Sequence, residues 1–510
     1  MNCKIIFKPS GIAVEVPDGS TIMDAERIAN LNFEYPCGGN GTCGKCLVDV
    51  CLNGTVSKMK ACTTPVINGM VVTLCENSCD DIVMTSSICS GVTVSPNVDI
   101  SNFDAPLGVA FDIGTTTLAA YLLNLRTGKV IDSLGELNSQ VKYGGDVVSR
   151  CIFSLKNGAL EIANCVHSEA DAMIETLLTK NNFSKNDVLA VSIVGNTCMH
   201  HIFAGINPTT LVEIPYMPTV YDPMIKPAKE YLSNVNDNAK VFFIPVIAGF
   251  VGADTVAAML STCFDRKEKT TLLLDIGTNG EMALGNKDRW VACSTASGPA
   301  FEGAKIVCGM RGAPGAIDHV DVKDGALNIS IIDNVPAVGI CGSGLIDVVK
   351  VLLDEGIIMP SGRLDKKYDG TFKDRLVEID GAKCFSLTDK VYITQKDIRE
   401  VQLAKGAIAA GIEIMSEKLG ISYDDINEVL IAGAFGNYMR PESMCRIKLL
   451  PPELLSKIVP VGNAAGEGSK MCLLSKEEFS HADEIAKKTE FIELASHPKF
   501  QELFIAQLDF

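Results

Sequence analysis

The chain has 510 residues, 47% of them hydrophobic, which is enough to build about three or four folding units. Its 62 Asp and Glu residues outnumber its 45 Lys and Arg residues, and the formal charge of -17 argues against nucleic acid as a partner. The most apolar long stretch, residues 337–359, contains Asp347, Lys350, Asp354 and Glu355 and so cannot span a bilayer without burying charge. We therefore expect a globular protein with no membrane span.

The first residues alternate apolar and polar side chains around a turn at Pro9–Gly11, a pattern typical of a β-hairpin. They lack the charged and then apolar order of a signal peptide. The chain has 19 cysteines, and most stand singly in apolar segments, as buried thiols do in a reducing compartment. The sequence therefore predicts a cytoplasmic protein.

A glycine-rich loop with three cysteines follows a short helix predicted at residues 22–29. The loop, PCGGNGTCGKC at residues 36–46, has the spacing C-x5-C-x2-C, and one further cysteine, Cys62, follows after a strand and a linker. Structural zinc usually takes two cysteine pairs, and only one C-x-x-C is present, so zinc is the less favoured alternative. Glycines allow a loop to wrap closely around an iron-sulfur cluster, whose sulfides need backbone N–H groups.

This pattern resembles that of the plant-type [2Fe-2S] ferredoxins. The resemblance implies a cluster held by Cys37, Cys43, Cys46 and Cys62. Cys75 and Cys79 remain alternatives for the fourth ligand, although they follow a strand predicted at residues 70–74. The resemblance also implies a mixed α+β, ferredoxin-like β-grasp domain at residues 1–85 and a one-electron carrier with a potential of about −400 mV. Ser, Asn and Asp are spread through residues 86–105, which we interpret as a linker.

Two segments of the remaining chain share one plan, in which an apolar strand ends in Asp-Ile-Gly-Thr and turns into a second apolar strand. They are residues 107–129 and 271–286, about 160 residues apart. The glycine allows a tight turn whose N–H groups and threonine hydroxyls can face phosphate, and the aspartate can hold Mg2+ directly or through water. The repeat predicts a duplicated scaffold with two phosphate-binding hairpins across a cleft.

The two hairpins resemble those of the actin-like ATPase superfamily, and further elements of that family follow in order. IAGFVGADTVAAML (247–260) and GNAAGEGSKMCL (462–473) look like the two helices that connect the lobes. EVLIAGAFGNYM (428–439) looks like the adenosine motif. The resemblance implies an α/β fold with two lobes, residues 106–265 and 266–510, built on duplicated ribonuclease-H-like subdomains, and it implies ATP with Mg2+ as cofactor.

The same resemblance assigns catalytic roles to Asp112 and Asp275, one in each hairpin. The other expected nucleotide-binding residues lie in the hairpins, in GICGSGLID and in the adenosine motif: Gly114, Thr115, Thr116, Thr117, Gly277, Thr278, Asn279, Glu281, Gly342, Ser343, Gly344, Gly433, Gly436 and Asn437. SGPAFEGAKI (297–306) offers another turn, with Gly298 and Glu302 before a predicted helix. For this turn and for GICGSGLID, an anion site at a helix N-terminus and a purely structural turn are equally good interpretations.

A low-potential cluster joined to an actin-like ATPase resembles the reductive activators of corrinoid-dependent enzymes. NSQVKYGGDVVSR (138–150) and VGNTCMHH (194–201) extend the resemblance along the chain. It implies ATP-dependent transfer of one electron to the Co(II) corrinoid of a methyltransferase-system protein, which restores Co(I). The implied partners are that corrinoid protein, a low-potential electron donor and a second copy in a homodimer. A small-molecule kinase or a redox-sensing ATPase, each with a ferredoxin appendage, remains the alternative.

Overall fold

The computed structural model describes residues 2–8, 11–29, 47–52, 55–73, 92–298, 300–303, 305–365, 367–379, 381–433 and 438–510. The chain forms two compact units, residues 1–80 and 81–510. Within the described ranges, no helix combines the length and the apolar composition that crossing a membrane requires.

The first unit is a five-stranded mixed sheet with one helix. Its elements are β1 (Asn2–Lys8), β2 (Ala13–Pro17), α1 (Ile22–Ile28), β3 (Leu47–Leu52), β4 (Thr55–Lys60) and β5 (Met70–Thr73), with the strand order β2-β1-β5-β3-β4. The predicted N-terminal hairpin and helix are both present. Helix α1 begins at a capping box, in which the Thr21 N–H donates to the Asp24 carboxylate (2.8 Å) and the Asp24 N–H donates to the Thr21 hydroxyl (3.2 Å).

The segment between β3 and Cys62 is a strand rather than the expected linker. Strand β4 pairs with β3 in antiparallel register over its full length, from Leu47 opposite Lys60 to Leu52 opposite Thr55. The sequence TVSKMK has too few apolar residues to reveal a strand, because most of its described side chains face solvent at the edge of the sheet.

The second unit contains two six-stranded sheets. The elements around the first sheet are β6 (Leu107–Ile113), β7 (Thr117–Asn124), β8 (Val130–Leu137), α2 (Val147–Asn157), α3 (Leu160–Asn181), β9 (Val188–Gly195), α4 (Thr197–Phe203), β10 (Met224–Pro227), β11 (Lys240–Phe243) and α5 (Ala253–Ser261). Residues 92–106 lead into β6 without a strand or helix, and several of their apolar side chains pack on a core of this unit.

The remaining elements surround the second sheet and two smaller three-stranded sheets. They are β12 (Thr271–Ile276), β13 (Gly280–Asn286), β14 (Arg289–Thr295), β15 (Ala316–Lys323), β16 (Ala326–Ile331), β17 (Gly339–Ile340), α6 (Gly342–Asp354), β18 (Leu376–Ile379), β19 (Ala382–Ser386), β20 (Tyr392–Thr394), α7 (Gln395–Leu419), β21 (Glu428–Ala432), α8 (Pro441–Arg446), β22 (Ile458–Gly462), α9 (Ala464–Leu474), α10 (Lys476–Lys488), β23 (Glu490–Phe491) and α11 (Phe500–Ala506).

The two six-stranded sheets repeat one topology. Their strand orders are β10-β11-β9-β6-β7-β8 and β22-β21-β12-β13-β14-β23. In each, three consecutive strands form an antiparallel meander whose first strand, β6 or β12, pairs in parallel with a later strand, β9 or β21. The duplicated scaffold predicted from the two Asp-Ile-Gly-Thr segments is therefore confirmed.

Each central strand is buried on both faces. Alternate residues of β6 point to different cores: Val109 and Phe111 pack with helix α3, whereas Ala110 packs with α5 and α9. This two-sided burial explains why the strands before the hairpins are continuous apolar runs rather than alternating ones. The half-buried aspartate of each hairpin, Asp112 or Asp275, is the next-to-last residue of its strand.

Helix α5, which follows β11, and helix α9, which follows β22, cross at close range. A Cβ added at Gly468 would lie 2.1 Å from the carbonyl oxygen of Ala257. The Ser261 hydroxyl donates to the carbonyl of Ala464 (2.7 Å) at the same crossing. The two segments expected to connect the lobes are therefore in contact, and their crossing joins the two halves of the second unit.

Candidate nucleotide site

The turns of the two Asp-Ile-Gly-Thr hairpins meet. The hydroxyl oxygens of Thr116 and Thr278 are 3.1 Å apart. Both hydroxyls reach Glu302: Thr116 donates to Oε2 (2.8 Å) and Thr278 donates to Oε1 (2.6 Å). Glu302 is only 8% exposed. Because the threonines of both turns contact each other and the same carboxylate, the two hairpins face each other as the sequence predicted.

Both turns leave backbone donors available at the cleft. The Gly114 N–H donates to the carbonyl of Thr117 (2.9 Å), and the Gly277 N–H donates to that of Asn279 (2.9 Å). In the described part of the chain the next two N–H groups of each turn, at residues 115–116 and 278–279, donate no hydrogen bond. Consecutive N–H groups of this kind form an anion-binding concavity, so phosphate is the ligand that suits the turns.

The first hairpin is held from behind by NSQVKYGGDVVSR. The Asn138 side chain donates to the carbonyl of Gly114 (2.8 Å), and the Asn138 N–H donates to that of Thr116 (3.0 Å). Arg150, which is fully buried on α2, donates to the carbonyl of Thr115 (2.5 Å). Three consecutive carbonyls are thereby bound away from the cleft. The sequence shows this segment only as a signature of the resemblance, without its supporting role.

Arg150 has no carboxylate partner among the described residues; its other oxygen acceptors are the carbonyl of Gly144 (3.0 Å) and the amide oxygen of Gln140 (3.2 Å). Burial lowers the pKa of the guanidinium below its usual value. The Asn196 side chain, at the N-terminus of α4, completes the support by donating to the Thr115 hydroxyl (2.9 Å).

Four acidic side chains interact electrostatically near the ends of β6, β12 and α5. Burial raises the pKa of Asp112 to about 6. Burial, reinforced by the charges of Asp254 and Asp112, raises the pKa of Asp275 to about 7, and burial together with Asp112 does the same for Asp254. The pKa of Glu281 is raised far above its usual value for similar reasons. Such a group attracts a divalent cation.

Asp254 is a member of this group that was not among the residues predicted from the sequence. It lies in the first turn of α5, inside the segment recognised as a connecting helix, and its carboxylate accepts the N–H of Thr255 (2.7 Å). The one sequence signal for Asp254 is its position in the first turn of a helix that is expected to approach the nucleotide. Among the described residues no three His, Cys, Asp or Glu side chains are close enough to hold one metal ion together. A hydrated Mg2+, bound through water and phosphate, suits this spacing.

Asn463 connects Asp112 to the second connecting helix. Its side-chain amide donates to Asp112 (2.9 Å) and to the Tyr121 hydroxyl (3.1 Å), and its Oδ1 accepts the N–H of Gly466 (2.8 Å) at the start of α9. The sequence gives no local sign of this role, because the partner Asp112 lies 351 residues away along the chain.

The start of the adenosine motif lies against the second hairpin. Gly433 has φ 90°, and a Cβ there would be 2.6 Å from the Oδ1 atom of Asp275. Only glycine fits both the left-handed backbone and this approach. Gly436 and Asn437, the other expected residues of the motif, lie outside the described residues.

The glycines of GICGSGLID have packing roles. A Cβ at Gly342 would lie 1.9 Å from the carbonyl of Phe301, and one at Gly344 would lie 2.3 Å from that of Ile317. Ser343 between them is buried at the start of α6. The turn expected in SGPAFEGAKI is present, but the helix expected after it is wrong: the described residues from 300 to 315 form turns instead.

Of the expected cluster ligands, only Cys62 lies in the described part of the chain. It is 4% exposed, in the turn after β4, and belongs to the core of the first unit. Cys37, Cys43 and Cys46 lie outside the described residues, as do the alternatives Cys75 and Cys79. The thiol of Cys62 suits iron, but the ligand set stays a prediction.

Three family models match the chain in succession. A model described as the 2Fe-2S iron-sulfur cluster binding domain matches residues 5–76, and one described as the RACo middle region matches residues 107–267. A model described as the C-terminal domain of RACo, the ASKHA domain, matches residues 269–510. The actin-like fold and the iron-sulfur domain that the sequence predicted are thus both found.

Similar proteins extend over the whole length. The chain is 32% identical over 588 residues to the corrinoid activation enzyme RamQ of Eubacterium limosum, covering 98% of each chain. It is 26% identical over 447 residues to the Co(II) methylated amine-specific corrinoid protein reductase of Methanosarcina barkeri, covering 79% of this chain and 77% of that protein. A solved structure of a reductive activator for corrinoid, iron-sulfur protein aligns with a TM-score of 0.77 at 28% identity, over 100% of this chain and 98% of that one. The chain belongs to the family of corrinoid activation enzymes.

Proposed function

We propose that the chain is an ATP-dependent reductive activator. It passes one low-potential electron from its [2Fe-2S] centre to the Co(II) corrinoid of a methyltransferase-system protein and so restores Co(I). The observation that carries this proposal is the presence, in one chain, of an iron-sulfur domain and a cleft in which two phosphate-type hairpins meet. The named activity of its relatives supports the same conclusion.

We assign the parts of the reaction to four segments: a ferredoxin domain at 1–85, a linker at 86–105, and two ATPase lobes at 106–265 and 266–510. The ends of the three family matches support these boundaries. In the ferredoxin domain, Cys37, Cys43, Cys46 and Cys62 would hold the cluster. When bound, such a cluster supplies one-electron chemistry at low potential.

In the ATPase lobes, the turns of both hairpins would bind the phosphate chain. Gly114, Thr115, Thr116 and Thr117 act on one side, and Gly277, Thr278 and Asn279 act on the other. Their unbonded N–H groups and their threonine hydroxyls provide the donors that a phosphate needs. Gly433, Gly436 and Asn437 would lie against the adenosine, and Gly342, Ser343 and Gly344 would place the N-terminus of α6 near the phosphates.

Asp112 and Asp275 would hold Mg2+ and the attacking water, with Glu281 and Asp254 as nearby carboxylates. The raised pKa values of these groups support a cation there, because the cation would offset the repulsion between the partly buried carboxylates. Asn463 would orient Asp112 through the hydrogen bond between their side chains. These residues therefore supply charge and water position rather than a covalent intermediate.

ATP is needed because the electron has to move uphill. In a one-electron transfer, each 59 mV by which the acceptor lies below the donor lowers the equilibrium constant tenfold. Binding and hydrolysis of ATP between the two sheets can change how they close about the crossing of α5 and α9, where Gly468 contacts Ala257. Closure that differs between nucleotide states gives the ATPase a means of changing the environment of the bound corrinoid protein.

The remaining partners follow from this role. A low-potential electron donor must reload the iron-sulfur centre after each transfer, and a corrinoid protein must receive the electron. A homodimer, which the family resemblance allows, stays a prediction. We place the protein in the cytoplasm because most of its cysteines stand singly in apolar segments, as thiols do in a reducing compartment.

The test is a corrinoid-reduction assay with the reconstituted protein, a chemical reductant of low potential and a Co(II) corrinoid protein. Formation of Co(I) is followed by its absorption spectrum with Mg-ATP, with Mg-ADP and without nucleotide. We expect Co(I) to form faster with Mg-ATP than in either control.

An Asp275→Asn variant should retain the spectrum of the iron-sulfur centre and lose the response to ATP. Equal rates of Co(I) formation with and without ATP in the wild-type protein would refute the activator proposal. Phosphorylation of a small molecule by the same preparation would favour the kinase alternative.

A further inference from the structure

Glu302 joins the two hairpins through both of its carboxylate oxygens. Oε2 accepts the hydroxyl of Thr116 at 2.8 Å, and Oε1 accepts the hydroxyl of Thr278 at 2.6 Å. The two threonines belong to different sheets and are 162 residues apart in the chain. A single buried carboxylate therefore connects the two halves of the cleft at the turns that would receive phosphate.

The position of Glu302 is fixed by the backbone around it. The carbonyl of the preceding residue, Phe301, lies where a Cβ at Gly342 would be, so the turn packs directly on the first residue of α6. The following residue, Gly303, has φ 78°, and a Cβ there would lie 2.5 Å from the carbonyl of Met310. A turn that is packed on both sides holds the carboxylate between the hairpins, which a mobile surface side chain could not do.

Glu302 and a phosphate chain require the same donors. A threonine hydroxyl has one proton and donates it to one acceptor at a time. In the structure both hydroxyl oxygens lie within hydrogen-bond distance of Glu302, whose carboxylate accepts from them in charge-assisted hydrogen bonds. A phosphate bound to these hydroxyls would also lie close to the negatively charged carboxylate of Glu302. The repulsion between the two charges costs free energy in a partly buried site.

We propose that Glu302 competes with nucleotide for the two threonine hydroxyls of the proposed phosphate site. Its carboxylate fastens Thr116 to Thr278 and must leave both hydroxyls before the phosphate chain can bind between the hairpins. Glu302 thus lowers the affinity for nucleotide and makes separation of the two hairpins a condition of binding. This inference rests on the proposed function, because it assumes that the hairpins bind the phosphates of ATP.

Displacement of Glu302 would also shift the start of helix α6, which lies outside the two hairpins. The turn that bears it contacts the start of α6 through Phe301 and Gly342, so a shift of the carboxylate out of the cleft is passed to that helix. Buried packing of this kind moves as a unit rather than deforming continuously. Occupation of the cleft by a nucleotide is thereby coupled to the position of an element outside the hairpins.

The test is the dissociation constant of Mg-ATP for the full-length protein, measured by titration calorimetry with Glu302→Ala and Glu302→Gln. Removal of the carboxylate should lower the dissociation constant about tenfold, because ATP no longer has to replace two charge-assisted hydrogen bonds. Glu302→Gln keeps the size of the side chain and should give a smaller decrease, since its amide oxygen still accepts one hydroxyl. Asp288→Asn, an exposed carboxylate change just after the second hairpin, should leave the constant unchanged.

A double-mutant cycle tests the contact itself. Thr278→Val should lower the unfolding temperature of the wild-type protein measured without nucleotide, and it should have a smaller effect in the Glu302→Ala background. Equal effects in the two backgrounds would show that the contact contributes nothing and would overturn the proposal.

The outcomes separate this inference from the proposed function. Wild-type protein that binds no Mg-ATP would contradict both. Wild-type protein that binds Mg-ATP, together with an unchanged or weaker affinity in both Glu302 variants, would overturn the role of Glu302 alone, because it would mean that the carboxylate does not compete with the phosphates.

Discussion

The hydroxyl oxygens of Thr116 and Thr278 lie 3.1 Å apart, although each belongs to the turn of a different six-stranded sheet. Two hairpins in such close contact can both reach one phosphate chain, and neither can do so without the other moving to make room. This contact explains why the duplication matters for function. In each sheet the first strand of the hairpin carries an aspartate and leads into a turn rich in N–H donors, and the two turns meet where one ligand could contact both.

Asp275→Asn and Asp112→Asn should each reduce ATP hydrolysis about 100-fold or more, because each removes a charge that would position Mg2+ and its water. Both residues have other carboxylates or an amide as neighbours, so the isosteric amide should be accommodated without disrupting the fold. The measurement is steady-state phosphate release with saturating Mg-ATP. Asp288→Asn, in the exposed turn between β13 and β14, is the matched control. Activity within twofold of wild type for Asp275→Asn would exclude a role for this residue in hydrolysis.

The partly buried acidic group of Asp112, Asp254, Asp275 and Glu281 should make stability depend on pH. The pKa of Asp275 is raised from 3.8 to about 7 in the folded chain, so between about pH 4 and pH 7 the unfolded chain has lost this proton while the folded chain keeps it. Because the folded chain binds more protons, its free energy of unfolding falls as the pH rises through this window. We expect a loss of about 1 to 3 kcal/mol from Asp275 in the absence of divalent cations.

The measurement is urea-induced unfolding at about pH 5 and about pH 8, in EDTA, for the wild-type protein and for Asp275→Asn. The variant should show a smaller decrease in stability, since its amide does not ionise. Addition of Mg2+ should restore stability at the higher pH, because the cation binds the ionised carboxylates. A wild-type protein that becomes more stable with rising pH would contradict the raised pKa.

Cys62→Ser should abolish the [2Fe-2S] centre or leave only an unstable one. Serine offers a hydroxyl where the cluster needs a thiolate, and the site of Cys62 is buried, so water cannot easily take its place. Iron content and visible absorption after reconstitution measure the effect. Cys51→Ser in β3, a half-buried cysteine of the same unit, is the control and should retain the cluster. A cluster that survives Cys62→Ser but is lost in Cys75→Ser or Cys79→Ser would reassign the fourth ligand.

Gly468→Ala should destabilise the second unit by about 1 to 3 kcal/mol, because the added methyl group would lie 2.1 Å from the carbonyl oxygen of Ala257. The contact involves backbone, which cannot rotate away, so the two connecting helices would have to separate. Gly145→Ala is the matched control, since nothing lies within 4 Å of its Cβ position and its φ is not positive. Unfolding temperatures of the two variants would be compared. Equal stability would mean that the helix crossing is not tightly packed in solution.

The hairpins could be predicted because all of their information is local. The apolar strand, Asp112 or Asp275, and the following glycine stand in sequence order, and the repeat identified them as a pair. The capping box at Thr21 and Asp24 was predictable for the same reason, since its partners are three residues apart. By contrast, Asn463 is 351 residues from its partner Asp112, and no local sequence pattern predicts that contact.

Glycines illustrate a second limit of sequence reasoning. Gly342 and Gly344 suited an anion site at a helix N-terminus and a structural turn equally well, because both demand small residues. The carbonyls of Phe301 and Ile317, which occupy the Cβ positions, give each glycine a packing reason that only the folded chain could supply. Glu302 was noticed in its turn, but its contact with both hairpins depends on how the two sheets close.

Arg150 should contribute to nucleotide binding without touching the nucleotide. Its guanidinium donates to the carbonyls of Thr115 and Gly144 and to Gln140, and so it fixes the turn of the first hairpin from the side opposite the cleft. Lysine has a single ammonium group and cannot reach all three acceptors in the geometry of the planar guanidinium. Arg150→Lys should therefore destabilise the second unit by about 2 kcal/mol. It should also raise the KM for ATP several-fold while changing kcat less.

The split between KM and kcat distinguishes this role from general destabilisation, and it is measured by steady-state ATP hydrolysis at a temperature where the variant is fully folded. Lys156→Met, on the exposed side of the same helix, is the control and should leave both constants unchanged. If Arg150→Lys lowers stability but leaves KM at the wild-type value, the guanidinium holds α2 in place without shaping the phosphate-binding turn. If Arg150→Lys, which loses the contact with Thr115, has a raised KM for ATP, the turn binds phosphate well only when its carbonyls are held away from the cleft.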